Sequence, residues 1–212
     1  MVLVSKLKNK IIVITGGSSG IGAASVKLFA EQGGTVVFTG RDIEKGKKYE
    51  RELLSERLNV VFYKCDVSNS DDIKKLKKYI DDEYGRLDIL FNNAGVLRTG
   101  NIDEICEEDW DLAYNVHVKS LLYISKEFMP MLKKSHGVVL NNTSINGLHS
   151  YIKGKRSYMY ATSKSAAIQF TRYLAKNYAP EVRVNALCPG MTVTTVLLQD
   201  GSYLSVYDDI SA

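Results

Sequence analysis

The sequence predicts a doubly wound α/β domain with a mainly parallel, seven-stranded sheet flanked by helices, and three observations carry that prediction. Short apolar, β-branched runs recur along the chain, the first being Ile11-Ile12-Val13-Ile14, as strands buried on both faces require. Each run is followed by a helix-length pattern, so strand and helix alternate as in βαβ units. The turn after the first run, Thr15 to Gly22, is glycine-rich and opens a helix.

Size and composition bound the answer. At 212 residues the chain suits one domain, 1–212, with a substantial core; 45% hydrophobic and 25% charged residues are ordinary for a soluble globular protein. The net charge of +4 is mild, and lysines such as Lys74 to Lys78 read as the solvated face of a helix rather than a nucleic-acid track. Cys65, Cys106 and Cys188 lack ligand spacing and read as reduced thiols, and His117, His136 and His149 form no metal-binding pattern. No metal is therefore expected. No apolar run approaches membrane-span length, and Met1 to Lys10 lacks a signal-peptide core, so a cytoplasmic protein with no membrane association is the expectation.

The first strand leads into Thr15-Gly16-Gly17-Ser18-Ser19-Gly20-Ile21-Gly22 and a helix through Ala24, Val26, Leu28, Phe29 and Ala30; Gly33-Gly34 ends it, and Thr35-Val36-Val37-Phe38-Thr39 is the second strand. This is a Rossmann-type βαβ unit. Glycines let backbone approach a pyrophosphate closely, and the helix N-terminus supplies N–H groups and a positive dipole. A dinucleotide site is expected at Gly16, Ser18, Ser19, Gly20, Ile21 and Gly22. A ribose-binding carboxylate is expected about 20 residues past the glycines. Gly40 and Arg41 stand there instead, and Asp42 is better placed to cap a helix beginning at Ile43. A missing acid beside an available guanidinium favours a 2′-phosphate, hence NADP, with NAD still possible.

The alternation continues. A polar helix spans about Ile43 to Glu56, then strand Val60-Val61-Phe62-Tyr63 runs into Cys65-Asp66-Val67. A helix over about Asp71 to Tyr84 precedes strand Leu87-Asp88-Ile89-Leu90-Phe91, which ends in Asn92-Asn93-Ala94-Gly95. Both strand ends fall where an open parallel sheet holds its ligand. Asp66 and Val67 are candidates for the adenine, and Asn93, Ala94 and Gly95 for the adenosine, although such residues also serve as turn formers. A long helical stretch from about Glu107 to Lys133 carries Asn115 amid apolar residues. Strand Val138-Val139-Leu140 runs through Asn141 and Asn142 to Thr143-Ser144, and Val182 to Leu187 is an alternating strand before Cys188-Pro189-Gly190.

The chemistry centres on Ser157-Tyr158-Met159-Tyr160-Ala161-Thr162-Ser163-Lys164, the start of a helix unbroken until Pro180. Residues four apart share a helix face, so the Tyr160 phenol and the Lys164 ammonium can enter one cavity. A cation alongside favours the phenolate, which would bring Tyr160 toward proton exchange near neutral pH. A second pair of this spacing, Tyr151 and Lys155, is interrupted by Gly154 and reads as loop.

Taken together, these stretches make the chain resemble the short-chain dehydrogenase/reductase family from about Lys8 to Thr194. The glycine turn matches Thr15 to Gly22, and the Asn-Asn-Ala-Gly motif matches Asn92 to Gly95. The family's four-residue active site maps onto Asn115, Ser144, Tyr160 and Lys164, and its Pro-Gly segment onto Pro189-Gly190, with a nicotinamide-contacting threonine at Thr194 and Thr192 as a further cofactor candidate. The resemblance implies interconversion of a carbonyl and an alcohol by hydride transfer on a small-molecule substrate. In that scheme Tyr160 is the acid/base, Lys164 lowers its pKa and holds the nicotinamide ribose, Ser144 bonds the substrate oxygen, and Asn115 holds a water. It also implies a homodimer or homotetramer through the helices around Trp110 to Met131 and Tyr160 to Tyr178.

Two departures stand out. Lys153-Gly154-Lys155-Arg156 lengthens the Ser144–Tyr160 interval. Gly201 to Val206 resembles the family's final strand but follows Thr194 almost directly, so a few dozen residues that form the substrate lid are missing from about 195 to 201. Either a segment is skipped in the sequence, which the retained strand favours, or the chain is a minimal form whose bare sheet face would seek a partner. An intact mass near 23.7 kDa would rule out a skipped segment. The rival functional readings are a non-catalytic dinucleotide-binding or regulatory protein and a nucleic-acid binder; the latter has no basic face or aromatic platform in the sequence to support it.

Overall fold

Ile12, Val13 and Ile14 are wholly buried, and they lie at the centre of the sheet around which the chain is wound. The computed structural model describes residues 5–149, 158–190, 192, 194–197 and 203–205. In chain order the elements are β1 (Ile11–Ile14), α1 (Gly20–Glu31), β2 (Thr35–Gly40), α2 (Ile43–Ser55), β3 (Val60–Lys64), α3 (Ser70–Tyr84), β4 (Ile89–Asn92), α4 (Glu107–Tyr114), a π-helical turn (Asn115–Lys119), α5 (Ser120–Ser135), β5 (Val138–Asn142), a 3-10 turn (Ile145–Gly147), α6 (Tyr158–Tyr178), β6 (Arg183–Leu187), β7 (Thr195–Leu197) and β8 (Tyr203–Ser205).

Six strands form one parallel sheet in the order β3-β2-β1-β4-β5-β6. Chain direction across the sheet reverses between β1 and β4, the switch point at which open α/β sheets bind ligands. Alternate residues of the inner strands feed two cores. Val13, Val37, Leu90 and Val139 pack toward Ile73 and Leu76 of α3, Phe128 and Leu132 of α5 and Leu174 of α6. Ile12, Ile14, Val36, Phe38 and Phe91 pack toward Val26 and Ala30 of α1 and Leu53 of α2. This two-sided burial is why the strands read as continuous apolar runs. β6 alternates as its sequence suggests, with Arg183, Asn185 and Leu187 exposed and Val184 buried.

Local chemistry sets the helix starts. The Asp42 carboxylate accepts from the Lys45 N–H at 2.9 Å, the capping role its position suggests, and the Asn69 side chain accepts from Asp71 N at 2.9 Å. α3 ends on Gly85 in the left-handed conformation.

The expected seventh strand is corrected. β8 pairs antiparallel with β7, Leu197 opposite Tyr203, and neither belongs to the six-stranded sheet. A parallel return beside β6 needs a crossover of roughly a dozen residues or more. The sequence between Leu197 and Tyr203 is too short for one and closes a local pair instead. The basic stretch Lys153 to Arg156, Tyr151, Ser157, and Gly201, Ser202 and Val206 lie outside the described residues.

Candidate active site

The glycine turn joins β1 to α1 and is held from below by β4. Gly16 has φ +64°, and a Cβ there would stand 2.8 Å from the Ala94 Cα; one on Gly22 would stand 2.1 Å from the Gly16 carbonyl oxygen and 2.4 Å from Asn93 Nδ2. The Asn93 amide donates to Thr15 O at 3.1 Å and Gly16 O at 3.0 Å, while the Thr15 hydroxyl accepts from the Asn93 and Ala94 N–H groups. Asn93 Oδ1 in turn accepts from Asn142 Nδ2 at 2.8 Å, linking the turn to the end of β5. Asn93 therefore acts through its side chain on the turn itself.

At the mouth of this turn Ser19 is the N-cap of α1, and its side chain makes no capping hydrogen bond, so the first N–H groups of the helix remain available to an anion. Ser18 lies against Gly40, its Oγ 3.1 Å from where a Gly40 Cβ would be, so the exposed Arg41 sits beside the turn at the end of β2. Thr194 approaches Gly20 from the other side, and with Ile21, Ala24, Ser25, Leu28 and Thr192 these residues line an open groove of ≈ 480 Å³. Asp66 Oδ1 accepts from the Ser68 N–H and hydroxyl at 2.9 and 2.7 Å, forming a turn at the end of β3, with Val67 buried next to it. Exposed Gly190 follows Pro189, whose carbonyl accepts from Ile145 N at 3.0 Å and so ties the segment after β6 to the Ser144 loop.

Ser144, Tyr160 and Lys164 come together beyond the end of β5. Gly147 makes this possible, because a Cβ there would lie 2.9 Å from the Lys164 carbonyl carbon, so the loop can press on α6 only without a side chain. The Ser165 hydroxyl fixes the approach by donating to Gly147 O at 2.7 Å. The Ser144 hydroxyl accepts from Asn146 N at 3.2 Å, and Ser144 is near enough to Tyr160 to act on its phenol. Lys164, 5% exposed, donates to Asn142 O at 2.9 Å, with its Nζ 5.5 Å from the centre of the Tyr160 ring.

Electrostatics correct one expectation. Burial pushes the Tyr160 phenol above its ordinary 10, and the bond from Ser144 draws it partly back; Lys164 is not a cause of the shift. Lys164 is itself lowered to about 8 by burial. Both shifts arise because a dry site disfavours either charged form, and the ammonium donates to the Asn142 carbonyl.

Asn115 opens the π-helical turn that interrupts the long helix expected from Glu107 to Lys133, and its carbonyl accepts from Ser120 N. The half-buried Asn115 side chain makes no hydrogen bond among the described residues. The residue the sequence reading passed over is His117, carried by the same turn. It is 3% exposed, and it bonds Val96 N at 3.0 Å and Ser163 Oγ at 2.8 Å, with its ring edge-on to Tyr160 at 5.5 Å and 87°. A signal was present: His117 falls on the apolar helical stripe of Ala113, Val116, Leu121 and Ile124, where a histidine needs partners. Among the described residues no helix is long and apolar enough to cross a membrane, and no cluster of metal-ligating side chains is present.

Comparison with known proteins agrees with this geometry. A family model described as short chain dehydrogenase matches residues 10–202. An uncharacterized oxidoreductase of Thermotoga maritima is 38% identical over 193 residues, covering 90% of this chain and 75% of that protein. The 3-oxoacyl-(acyl-carrier-protein) reductase FabG of the same organism is 35% identical, covering 89% and 76%. Among solved structures, RhlG of Pseudomonas aeruginosa in an NADP active-site complex superposes with a TM-score of 0.85 at 28% identity, covering 92% of this chain and 77% of that one. A short chain dehydrogenase/reductase from Burkholderia phymatum in complex with NAD gives 0.82 at 27% identity, covering 89% and 68%. With the parallel sheet, the glycine turn and the Ser144–Tyr160–Lys164 cluster all in place, the chain belongs to the short chain dehydrogenase family, whose members are oxidoreductases.

Proposed function

We propose that this protein is an NADP(H)-preferring carbonyl reductase or alcohol dehydrogenase acting on a small molecule, with Tyr160 as its acid/base. The observation that carries the reading is the buried Lys164 ammonium 5.5 Å from the centre of the Tyr160 ring, with Ser144 beside the phenol. The residues fit a dinucleotide: the glycine cradle has no room for side chains at Gly16, Gly17 and Gly22, and the N-terminus of α1 has uncapped N–H groups where a pyrophosphate would lie. Gly16, Ser18, Ser19, Gly20, Ile21 and Gly22 would hold it, with Arg41 on a 2′-phosphate and Asp66, Val67, Ala94 and Gly95 along the adenosine. Pro189, Gly190, Thr192 and Thr194 would close over the nicotinamide end. When bound, that group supplies or accepts the hydride.

The chain's own residues do the rest. Ser144 Oγ and Tyr160 Oη would both hydrogen-bond one substrate oxygen, and those bonds would strengthen as negative charge grows on it. Burial holds the Tyr160 phenol above its ordinary value, so the group carries the proton that reduction would donate to that oxygen. Lys164 would restore the proton, with Asn115 at the head of the path. Like its relatives of known structure, which include NADP and NAD complexes, the protein accepts a nicotinamide dinucleotide, and Arg41 supports the preference for NADP. Exposed Leu122 of α5 and Tyr173 of α6 support assembly as a homodimer or homotetramer, and a cytoplasmic setting accords with the free thiols.

The test is single-turnover oxidation of NADPH against a panel of ketones and aldehydes. Tyr160→Phe should bind NADPH normally and lose at least about a hundredfold in rate, the scale of a general acid. Equal rates in the two proteins would remove the assignment.

A further inference from the structure

His117 does not belong to the four residues assigned above, yet it touches both sides of the site. Its ring bonds have only one consistent direction. Val96 N can only donate, so Nε2, 3.0 Å away, carries no proton. Nδ1 must then hold the ring proton and donate it to Ser163 Oγ at 2.8 Å. Ser163 Oγ is free to accept because its own proton goes to the Tyr160 carbonyl at 2.9 Å. An imidazolium, or the other tautomer, would set N–H against N–H at Val96 with no room to retreat, since the ring is 3% exposed. Space for it comes from Gly95, where a Cβ would lie 3.3 Å from Nε2 and 3.7 Å from Lys164 Nζ. The charged or titratable groups facing the ring are Tyr160, edge-on, and Lys164, both from α6. Burial first, and then the Lys164 charge, hold the imidazole neutral across the physiological range.

We propose that His117 is a positioning residue: its neutral, Nδ1-protonated ring clamps the chain after β4 to the first turn of α6, and so fixes Tyr160 against the cofactor wall. The proposal rests on Tyr160 being the acid/base. The clamp runs Val96 N–H to His117, His117 to Ser163, Ser163 to the Tyr160 carbonyl, so a single side chain spans the gap between the segment bearing Gly95 and the helix bearing the phenol. Without it α6 retains its packing on β6, but nothing in the described structure ties its first turn to Val96.

Two variants and one spectrum test this. In His117→Gln the side-chain oxygen can reach the Nε2 position and still accept from Val96 N–H, but it offers Ser163 no donor. It should keep its NADPH Kd within about twofold while kcat for carbonyl reduction falls about tenfold, the scale of a small misplacement of a reacting group. Ser163→Ala should reproduce that loss, and the double variant should add little to it, as members of one chain of bonds behave. In protein labelled with 15N-histidine, one of the three rings should show the Nδ1–H pattern unchanged from pH 8 to pH 5 and vanish in His117→Gln. A ring at position 117 that titrates near its ordinary value, or is protonated on Nε2, overturns the clamp. So does a kcat for His117→Gln equal to that of the unaltered protein, or a loss matched by an equal loss of NADPH affinity. If the unaltered protein binds NADPH but reduces no carbonyl, the reading of Tyr160 fails instead, and with it the catalytic part of the proposal, while the spectrum still judges the bonds.

Discussion

Lys164 Nζ donates to the Asn142 carbonyl oxygen at 2.9 Å from a position 5% exposed, so α6 is bound to the end of β5 through an ammonium kept in a dry site. A lysine whose folded pKa is lowered to about 8 binds its proton less tightly than in the unfolded chain. Below pH 8 both states are protonated and the full penalty, on the order of 3 kcal/mol, is felt; between pH 8 and about 10.5 the unfolded state binds more protons and stability from this group rises; above that the penalty is gone. Lys164→Met should therefore raise Tm by several degrees at pH 7, after losing about 1 kcal/mol for the bond to Asn142, while abolishing turnover. The gap in Tm between the two proteins should close as pH rises from 8 to 10.5, read by thermal unfolding in a pH series.

The glycine turn makes a second prediction, on steric grounds. A Cβ on Gly22 would meet the Gly16 carbonyl oxygen at 2.1 Å and Asn93 Nδ2 at 2.4 Å, both held by hydrogen bonds, so neither can move away. Gly22→Ala should cost at least about 1–3 kcal/mol and eliminate NADPH binding. A Cβ on Gly190, by contrast, meets nothing within 4 Å, so Gly190→Ala should leave urea unfolding unchanged. Denaturation midpoints and a cofactor titration check both.

How much of this was legible beforehand follows from what each feature depends on. The strands were legible because burial on both faces leaves a local record: Val13 serves one core and Ile12 and Ile14 the other, giving an unbroken apolar run. The Asp42 cap was legible for the same reason, since its partner, Lys45, is three residues away. What failed was non-local. The π-helical turn at Asn115 leaves no change of period in the sequence, and β8 could be placed only by asking how much chain remained to carry it back to β6. The direction of the Lys164 ammonium, toward Asn142 rather than the phenol, is fixed by residues 22 apart in sequence. The bonding of His117 leaves no mark in the sequence, because its partners, Val96 and Ser163, are a backbone amide and a hydroxyl on other elements.

Cofactor choice is a question of charge at the end of β2. Arg41 is exposed and follows Gly40, which lies against Ser18, and a guanidinium there can form a charge-assisted pair with a 2′-phosphate but only a neutral-acceptor hydrogen bond with a 2′-hydroxyl. Arg41→Ala should weaken NADPH by about tenfold and leave NADH within about twofold, measured by fluorescence titration of both. Equal losses would take Arg41 out of the argument.

The last prediction concerns the opposite end of the sheet, where Asp88, 3% exposed, joins three segments. Its carboxylate accepts from Ile11 N at 2.9 Å, Lys10 Nζ at 3.3 Å, and Arg86 Nε and Nη2 at 3.1 and 2.5 Å, while its own backbone pairs with Ile11 and Val138. Burial by itself would raise the pKa of this group, but the Arg86 guanidinium, the Ile11 N–H and the Lys10 ammonium together hold it below the usual carboxylate value. The sign follows from that depression: the stabilisation is complete above the unfolded value near pH ~4 and is lost as pH falls through the lower folded value. In Asp88→Asn the amide oxygen can still accept from Ile11 N, but the charge is gone and Lys10 and Arg86, about half exposed, return to solvent. The variant should lose about 1.5–3 kcal/mol at pH 7, the range for hydrogen bonds to a charged group. As pH falls through the lowered folded value its stability should converge on that of the unaltered protein, because the native carboxyl is then neutral as well. Urea unfolding in a series running from pH 7 down into the acid range below the unfolded value would show it, and a gap that never narrows as the carboxyl titrates would mean that packing, not charge, holds this corner.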